Sequence, residues 1–490
     1  MNTRAELNTL EAGGLIEIAA LQPDLEYLFR HALVQDAAYS SLLKQDRRTL
    51  HLAAGDTLVD LHKGRESELA AVIAMHFEQG GDGRRAAEYL VLAGEHAMRR
   101  FANSEAIAFF RRAISVSDPS QSDLRLRAAI GFARAGWGFS TDMVTAELEN
   151  AIAGGKDADK NLLTEAYFWL AFLRRMAGET EESSPALREA LARAKELGGE
   201  VSDPAATAVP RALMGAFAAF AGQLREGAHD MSEALGVIEA KGDPVSAAMV
   251  ANFLAGAYSR LGDFAAAEKI IDVSTRFAEK GDAIAIVDRD IALAGFHLER
   301  GEPQEAGLSS VACSTRAEEL GAFACVLASN VITGASHIAL HDAEGAKGPL
   351  DRSSELTRVV NFAPLRTMTY ALLGSVRAQL GDEPGAVADW NEALASAQAM
   401  SDRYGEAQTL WGRGRALARR PDADLAAALD DIEKAMHLFE AMEARPAFAR
   451  TLLDRARVLR LLGREDEAAD DERRSHELAR ELGLRDIAPQ

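Results

Sequence analysis

Few residues of this chain combine the types and spacing that chemistry needs. His51 and His62 stand eleven apart and approach one face of a helix, as metal ligands could. Zinc would also want a third and a fourth ligand at tight spacing, and none follows. A solvated or helix-capping role is the expectation for both. Cys313 and Cys325 straddle a turn at positions where small apolar residues are expected, so they read as buried structural thiols. Gly412-Arg413-Gly414-Arg415 follows no strand and lacks the third glycine of a dinucleotide loop. No GxxxxGK[ST] occurs; Gly155-Lys156 and Lys347-Gly348 lack its spacing and its hydroxyl. No Ser-His-Asp or Cys-His set has local support either. The expectation is a noncatalytic chain with no cofactor and no metal.

Composition narrows the class further. The 490 residues are 48% hydrophobic, 26% charged and 6% aromatic, which fits a folded globular chain. A net charge of -21 repels phosphate at long range and disfavours nucleic acid as a partner. No apolar run of membrane-spanning length and no secretory leader pattern is present, so a cytoplasmic protein is expected.

What positions any site here is a repeat. First turns read Met176-Ala177-Gly178, Phe220-Ala221-Gly222, Leu261-Gly262-Asp263, Arg300-Gly301-Glu302, Leu340-His341-Asp342, Leu380-Gly381-Asp382, Arg420-Pro421-Asp422 and Leu462-Gly463-Arg464, at steps of 39 to 44 residues. Seven residues before each anchor stands a Gly or Ala: Ala171, Gly215, Ala255, Ala294, Gly334, Gly374, Gly414 and Ala456. A second small column follows the turn at Gly227, Ala267, Ala306, Ala346, Ala386, Ala428 and Ala468. Antiparallel helices approach closely where facing side chains are short, which accounts for both columns. Large residues such as Ile271, Leu350 and Trp390 would then fill the gap to the next pair. Acids after the turn, among them Asp263, Glu302 and Asp382, are expected to cap the second helices.

The segment Leu254-Ala255-Gly256-Ala257-Tyr258-Ser259-Arg260-Leu261-Gly262-Asp263-Phe264-Ala265-Ala266-Ala267 resembles the tetratricopeptide repeat. The usual period of that family is about 34 residues, and here each unit carries a few more. Ala93-Gly94-Glu95-His96-Ala97 with Ala102-Asn103-Ser104-Glu105-Ala106 resembles an earlier unit, and a degenerate one falls near 128–153, giving roughly ten helical pairs. The resemblance implies an all-α solenoid of two-helix repeats with a period near 40, coiled into a right-handed superhelix. Its concave groove, lined by the first helix of each pair, would bind a peptide or protein partner. By the family register Arg175, Asn252, Arg260 and Gln379 point into that groove.

The head departs from this period. Leu10-Glu11-Ala12-Gly13-Gly14-Leu15-Ile16, then Phe29-Arg30-His31-Ala32-Leu33, then Arg47-Arg48-Thr49-Leu50-His51, is similar to the end of the winged-helix segment in bacterial STAND-class signalling ATPases. These include multidomain adenylate and guanylate cyclases and ATP-dependent transcriptional activators. The resemblance implies a partial winged helix and connector over 1–65, a helical connector with early degenerate repeats over 66–155, and a repeat array over 156–490. In such proteins a histidine in the context of His31 senses bound diphosphate. With no phosphate loop in the chain, a partly buried His31 behind Phe29 and Leu33 is the expectation, with nucleotide sensing in trans as the alternative. The function expected is an interaction or sensor module of a signalling regulator, with an ATPase or nucleotide cyclase as partner. The alternative is the C-terminal fragment of a multidomain cyclase or of an ATP-dependent transcriptional regulator.

Overall fold

The computed structural model describes residues 3–20, 26–100, 102–136, 141–198, 205–241, 244–279, 283–360, 363–420 and 423–485. The chain opens with α1 (Thr3–Ala12) and an antiparallel hairpin of β1 (Ile16–Ala20) and β2 (Glu26–Phe29), paired with Ile16 opposite Phe29. Then come α2 (Ala32–Ser41), α3 (Lys44–Leu61) and α4 (Glu66–Gly80).

Among the described residues ten helical hairpins follow. The early ones are α5 (Gly83–Arg99) with α6 (Asn103–Val116), α7 (Ser122–Gly136) with α8 (Thr141–Gly154), and α9 (Lys160–Met176) with α10 (Pro185–Gly198). The middle ones are α11 (Ala205–Phe220) with α12 (Leu224–Lys241), α13 (Pro244–Leu261) with α14 (Phe264–Ala278), and α15 (Ala283–Arg300) with α16 (Pro303–Glu319). The last four pair α17 (Phe323–Ala339) with α18 (Ala343–Val360), α19 (Arg366–Gln379) with α20 (Glu383–Met400), α21 (Arg403–Ala418) with α22 (Leu425–Ala441), and α23 (Arg445–Leu461) with α24 (Glu465–Leu482).

From α9 on, wherever the turn is described, the first helix stops where its turn residue enters the left-handed region, whereas α5 ends at Arg100 with φ -95°. Gly178, Gly222, Gly262, Gly301, Gly381 and Gly463 all have φ between 75° and 95°, and His341 takes the same place at φ 62°. Glycine populates this region without the Cβ clash that other residues meet. The corresponding turn at Pro421-Asp422 lies outside the described residues. Asp263 and Asp382 cap their second helices by accepting from the backbone N–H groups of Ala266 and Gly385 at 3.0 Å. Glu302 does not cap; its carboxylate lies 2.7 Å from His297 instead.

The small columns are buried contact points between the two helices of a pair. A Cβ on Gly227 would come within 2.3 Å of the Gly215 carbonyl oxygen. At Gly334 and Gly374 a Cβ would lie 2.5 Å from Leu350 and Trp390 respectively. Leu350 and Trp390 fill the notch left by the glycine of their own hairpin, and Leu350 also shares a buried cluster with Tyr370 and Leu373 of the next pair.

A second level of packing sets the pitch. The Gly178 turn lies against Met400, the Gly222 turn against Met442 and the Gly262 turn against Leu482. Beyond them, the Arg485 N–H donates to the Arg300 carbonyl at 2.9 Å. Arg225 pairs with Glu443 across 218 residues, roughly five to six repeats. Successive turns of the superhelix thus rest on each other. One continuous apolar core joins α11 and α13 to α21 and α23, with Leu254, Leu410, Phe439 and Leu452 all buried in it.

Candidate functional site

The first helices turn one face inward at the three- and four-residue spacing of a helix. On α9 that face carries Trp169, Phe172 and Met176; on α13 it carries Asn252, Gly256 and Arg260. Because the turns of the superhelix touch, these faces line a partly open lumen of about 970 Å³. α11 reaches α21, and α13 and α15 reach α23, across its axis. The wall is mostly apolar, as expected of a ligand-holding cavity.

Two of the inward positions are glycines of a different kind from those between paired helices. A side chain on Gly256 or Gly295 would meet no atom within 4 Å. Glycine within a helix costs about 0.5–1 kcal/mol relative to alanine, and here no packing contact accounts for it. What these glycines provide is open space against backbone.

At one end a polar cluster crosses the lumen. Tyr404 donates to Glu299 at 2.8 Å, and Gln408 donates to the Tyr404 hydroxyl at 3.3 Å. Arg450 donates to the Glu299 carbonyl at 2.7 Å, with its other amine 3.7 Å from the Glu299 carboxylate. Burial pushes the Tyr404 phenol well up, so it stays protonated and keeps donating. Arg260 lies with its guanidinium carbon 4.2 Å from the Tyr404 ring centre and 5.3 Å from that of Phe220. Asp402, which caps α21 through the Gly405 N–H at 2.8 Å, borders the same space. Burial raises its pKa to about 6, against the lowering effect of that bond and of the nearby Arg260 charge.

Of the residues that the register directs inward, Asn252 and Arg260 line the lumen. Arg175 lies behind the wall, its guanidinium 5.8 Å from the ring of the lining Phe217, and burial lowers its pKa. Gln379 is exposed as the last residue of α19 and is not part of the lining, because the helix ends there and the Gly381 turn follows. The repeat register missed Tyr404, Glu299 and Arg450. These meet only because the superhelix closes, and their separations of 105 and 151 residues carry no local signal.

His31 departs from the expectation of a partly buried side chain. It is exposed at the start of α2, a helix with no buried residue, and its neighbours Phe29 and Leu33 are 43% and 82% exposed. His62 is the C-terminal cap of α3. His51 meets His76 instead, with the two Nδ1 atoms 2.9 Å apart, while the Tyr39 hydroxyl lies 2.9 Å from the other His51 nitrogen. Among the described residues no group of three or more His, Cys, Asp or Glu could hold a metal ion. Cys313 is buried and its thiol is pushed up to about 12 by that burial; Cys325 borders the lumen. Among the described residues no helix is long and apolar enough to cross a membrane.

No family model matches this sequence, and no curated protein matches it. Solved structures do. A Rap protein complexed with Competence and Sporulation Factor superposes with a TM-score of 0.56 at 13% identity, over 74% of this chain and 99% of that one. The chain folds as a tetratricopeptide-like α-solenoid. The APC/C hetero-tetramer Cut9-Hcn1 is similar at TM-score 0.47 and 15% identity, over 92% of this chain and 90% of that one. Aspartyl phosphate phosphatase F from Bacillus subtilis is similar at 0.32 and 12%, over 80% and 93%.

Proposed function

We propose that this solenoid is a noncatalytic binding module whose lumen holds a peptide or an extended segment of a protein partner. The observation that carries this reading is the largely apolar, partly open lumen, with glycines at Gly256 and Gly295 that leave backbone open to an occupant. The Rap protein that shares the fold is complexed with Competence and Sporulation Factor, which supports a bound partner here too. The test compares the chain with Ala328→Trp, which fills the lumen from α17, for retention of random hexapeptides after gel filtration and mass spectrometry. Retention by the parent chain and its loss in the variant are expected. Equal retention by both, or by neither, would retire the reading.

The finer reading is a sensor arm of a bacterial signalling regulator. It rests on the similarity of residues 10–51 to the winged-helix end of STAND ATPases, and is supported by a head whose Leu28, Phe29 and Leu33 are exposed. In this reading residues 1–65 form the head, 66–155 the connector and 156–490 the array. The head docks on an ATPase or nucleotide cyclase, where His31 reaches a nucleotide held by that partner. Affinity capture with the parent chain and with Leu33→Asp decides this. An ATPase or cyclase captured by the first and lost by the second is expected; capture of neither class removes the regulator reading and leaves the lumen reading intact.

A further inference from the structure

Away from the lumen, α3 and α4 bring two imidazoles together nitrogen to nitrogen. The Nδ1 atoms of His51 on α3 and His76 on α4 lie 2.9 Å apart, with ring centres separated by 5.1 Å and ring planes inclined at 46°. His62, eleven residues beyond His51, stands at the end of α3 and takes no part. The approach is imposed by packing on both sides of the pair. Next to His51, Leu52 seats against Gly80, where a Cβ would come within 2.7 Å of it. Next to His76, the buried Phe77 seats against Gly55, where a Cβ would come within 2.8 Å of its ring. Two glycines thus draw the helices together around the histidines, and buried apolar contacts set the distance between the rings. Tyr39 of α2 holds the other side of His51. Its hydroxyl lies 2.9 Å from Nε2, and the Arg47 guanidinium carbon stands 5.1 Å from the Tyr39 ring centre.

These distances suit a metal ion. Two neutral imidazoles meeting Nδ1 to Nδ1 share a single proton there, and with each proton on Nε2 instead, two lone pairs converge on one point. A tetrahedral ion with bonds of about 2.0–2.1 Å to nitrogen sets the centres of two ligating rings roughly 5.2 Å apart. The rings already have that separation, so tilting them in place admits the ion without parting the helices. A metal-bound histidine donates its second N–H to a fixed polar group, which selects the tautomer and orients the ring. For His51 the Tyr39 hydroxyl stands at that place. Burial, then the His51 charge, also holds the His76 pKa below its ordinary value, which keeps that ring in the neutral form a metal needs.

We propose that His51 and His76 bind one zinc-class divalent cation through their Nδ1 atoms, with Tyr39 as the residue that positions His51. Among the described residues no third His, Cys, Asp or Glu joins them, so water completes the tetrahedron on the exposed side of this half-buried pair. A site of imidazole nitrogens without carboxylates selects zinc, nickel or copper over magnesium and calcium, and tetrahedral geometry selects zinc among these. The ion ties α3 to α4, where the head of the chain meets the repeats. It is independent of what the lumen holds.

The experiment uses the full chain, stripped with a chelator and returned to chelator-free buffer. Calorimetric titration with zinc chloride is expected to show one saturable site, and cobalt(II) chloride is expected to give the intense visible absorption of tetrahedral coordination. Hydrogen exchange in α3 and α4 should slow when zinc is added, while exchange in α23 stays the same. His51→Gln and His76→Gln should each abolish the site. Tyr39→Phe should weaken it about 10–100-fold, as the loss of an outer partner of a ligating histidine does. No saturable zinc site, or one that survives His76→Gln undiminished, would overturn the proposal. An octahedral cobalt spectrum would overturn the tetrahedral geometry, and full zinc affinity in Tyr39→Phe would overturn the role given to Tyr39. Should a histidine variant fail to fold, exchange in the parent chain decides: slowing in α3 and α4 supports the site, and its absence overturns it.

Discussion

Arg225 and Glu443, 218 residues apart in sequence, meet with the arginine Nε 3.0 Å from the glutamate Oε1. They mark the seam along which one turn of the superhelix lies on the next. The pair itself is largely exposed, and such ion pairs contribute about 0–1 kcal/mol. Beside it the Gly222 turn packs directly on Met442.

The seam therefore depends more on packing than on charge. Glu443→Gln should leave thermal stability nearly unchanged. Gly222→Leu should lower it by about 1–3 kcal/mol, since φ is 95° and a Cβ would lie 2.9 Å from Met442. Small-angle scattering should also show a larger radius of gyration for Gly222→Leu; an unchanged radius would mean that the turns are held elsewhere.

Glycines on the two faces of the first helices should answer oppositely to the same substitution. Gly256→Ala and Gly295→Ala should each stabilise the chain by about 0.5–1 kcal/mol, because the added methyl meets nothing and helix propensity improves. Gly334→Ala and Gly374→Ala should destabilise it by about 1–3 kcal/mol through overpacking against Leu350 and Trp390. Chemical denaturation of the four variants checks the sign; a common sign would contradict the lumen.

Asp402 sets a pH dependence. Its folded pKa, about 6, exceeds the unfolded value near 4, so the folded state takes up the proton first as pH falls between them. The parent chain gains stability over that window, and Asp402→Asn, which keeps the cap but not the charge, does not. Any advantage of the Asn variant at pH 7 should shrink by roughly 1–3 kcal/mol at pH 4.5. Melting curves of both at the two pH values test this, and a gap that widens on acidification would refute it.

The His51–His76 contact runs the other way. Burial, then the His51 charge, holds His76 below its ordinary value, so its contribution is present above about pH 6.5 and lost as pH falls below it. Hydrogen exchange in α3 and α4, corrected for intrinsic rate, should speed up between pH 7.5 and 5.5 relative to α23. His76→Gln should abolish that change.

The local rules of the repeat were legible in the sequence. Ala255, Ala294 and Gly334 announced a close helix contact, and Asp263 and Asp382 announced caps, because each acts on residues a few positions away. The lumen was legible only in part. Asn252 and Arg260 follow from the register, but Gln379, with the same register, falls at the exposed end of α19. Whether an inward position faces a cavity, a partner helix or water depends on pitch. Pitch is decided by turn-to-turn contacts such as Gly262 on Leu482, which no local pattern encodes. The exposure of His31 was missed for a similar reason: Phe29 and Leu33 look like core residues, and the described residues do not bury them.

The seam also fixes how many repeats can lie between its two sides. In an open solenoid each unit touches only its neighbours, so a unit can be gained or lost with local effect. Here every unit of the second turn sits above a particular place in the first. Removing one hairpin between them would rotate the upper turn by nearly a fifth of a revolution and bring Glu443 over the wrong neighbour. The number of repeats between the two sides is a matter of phase, and the two turns are expected to unfold and to evolve together rather than as a string.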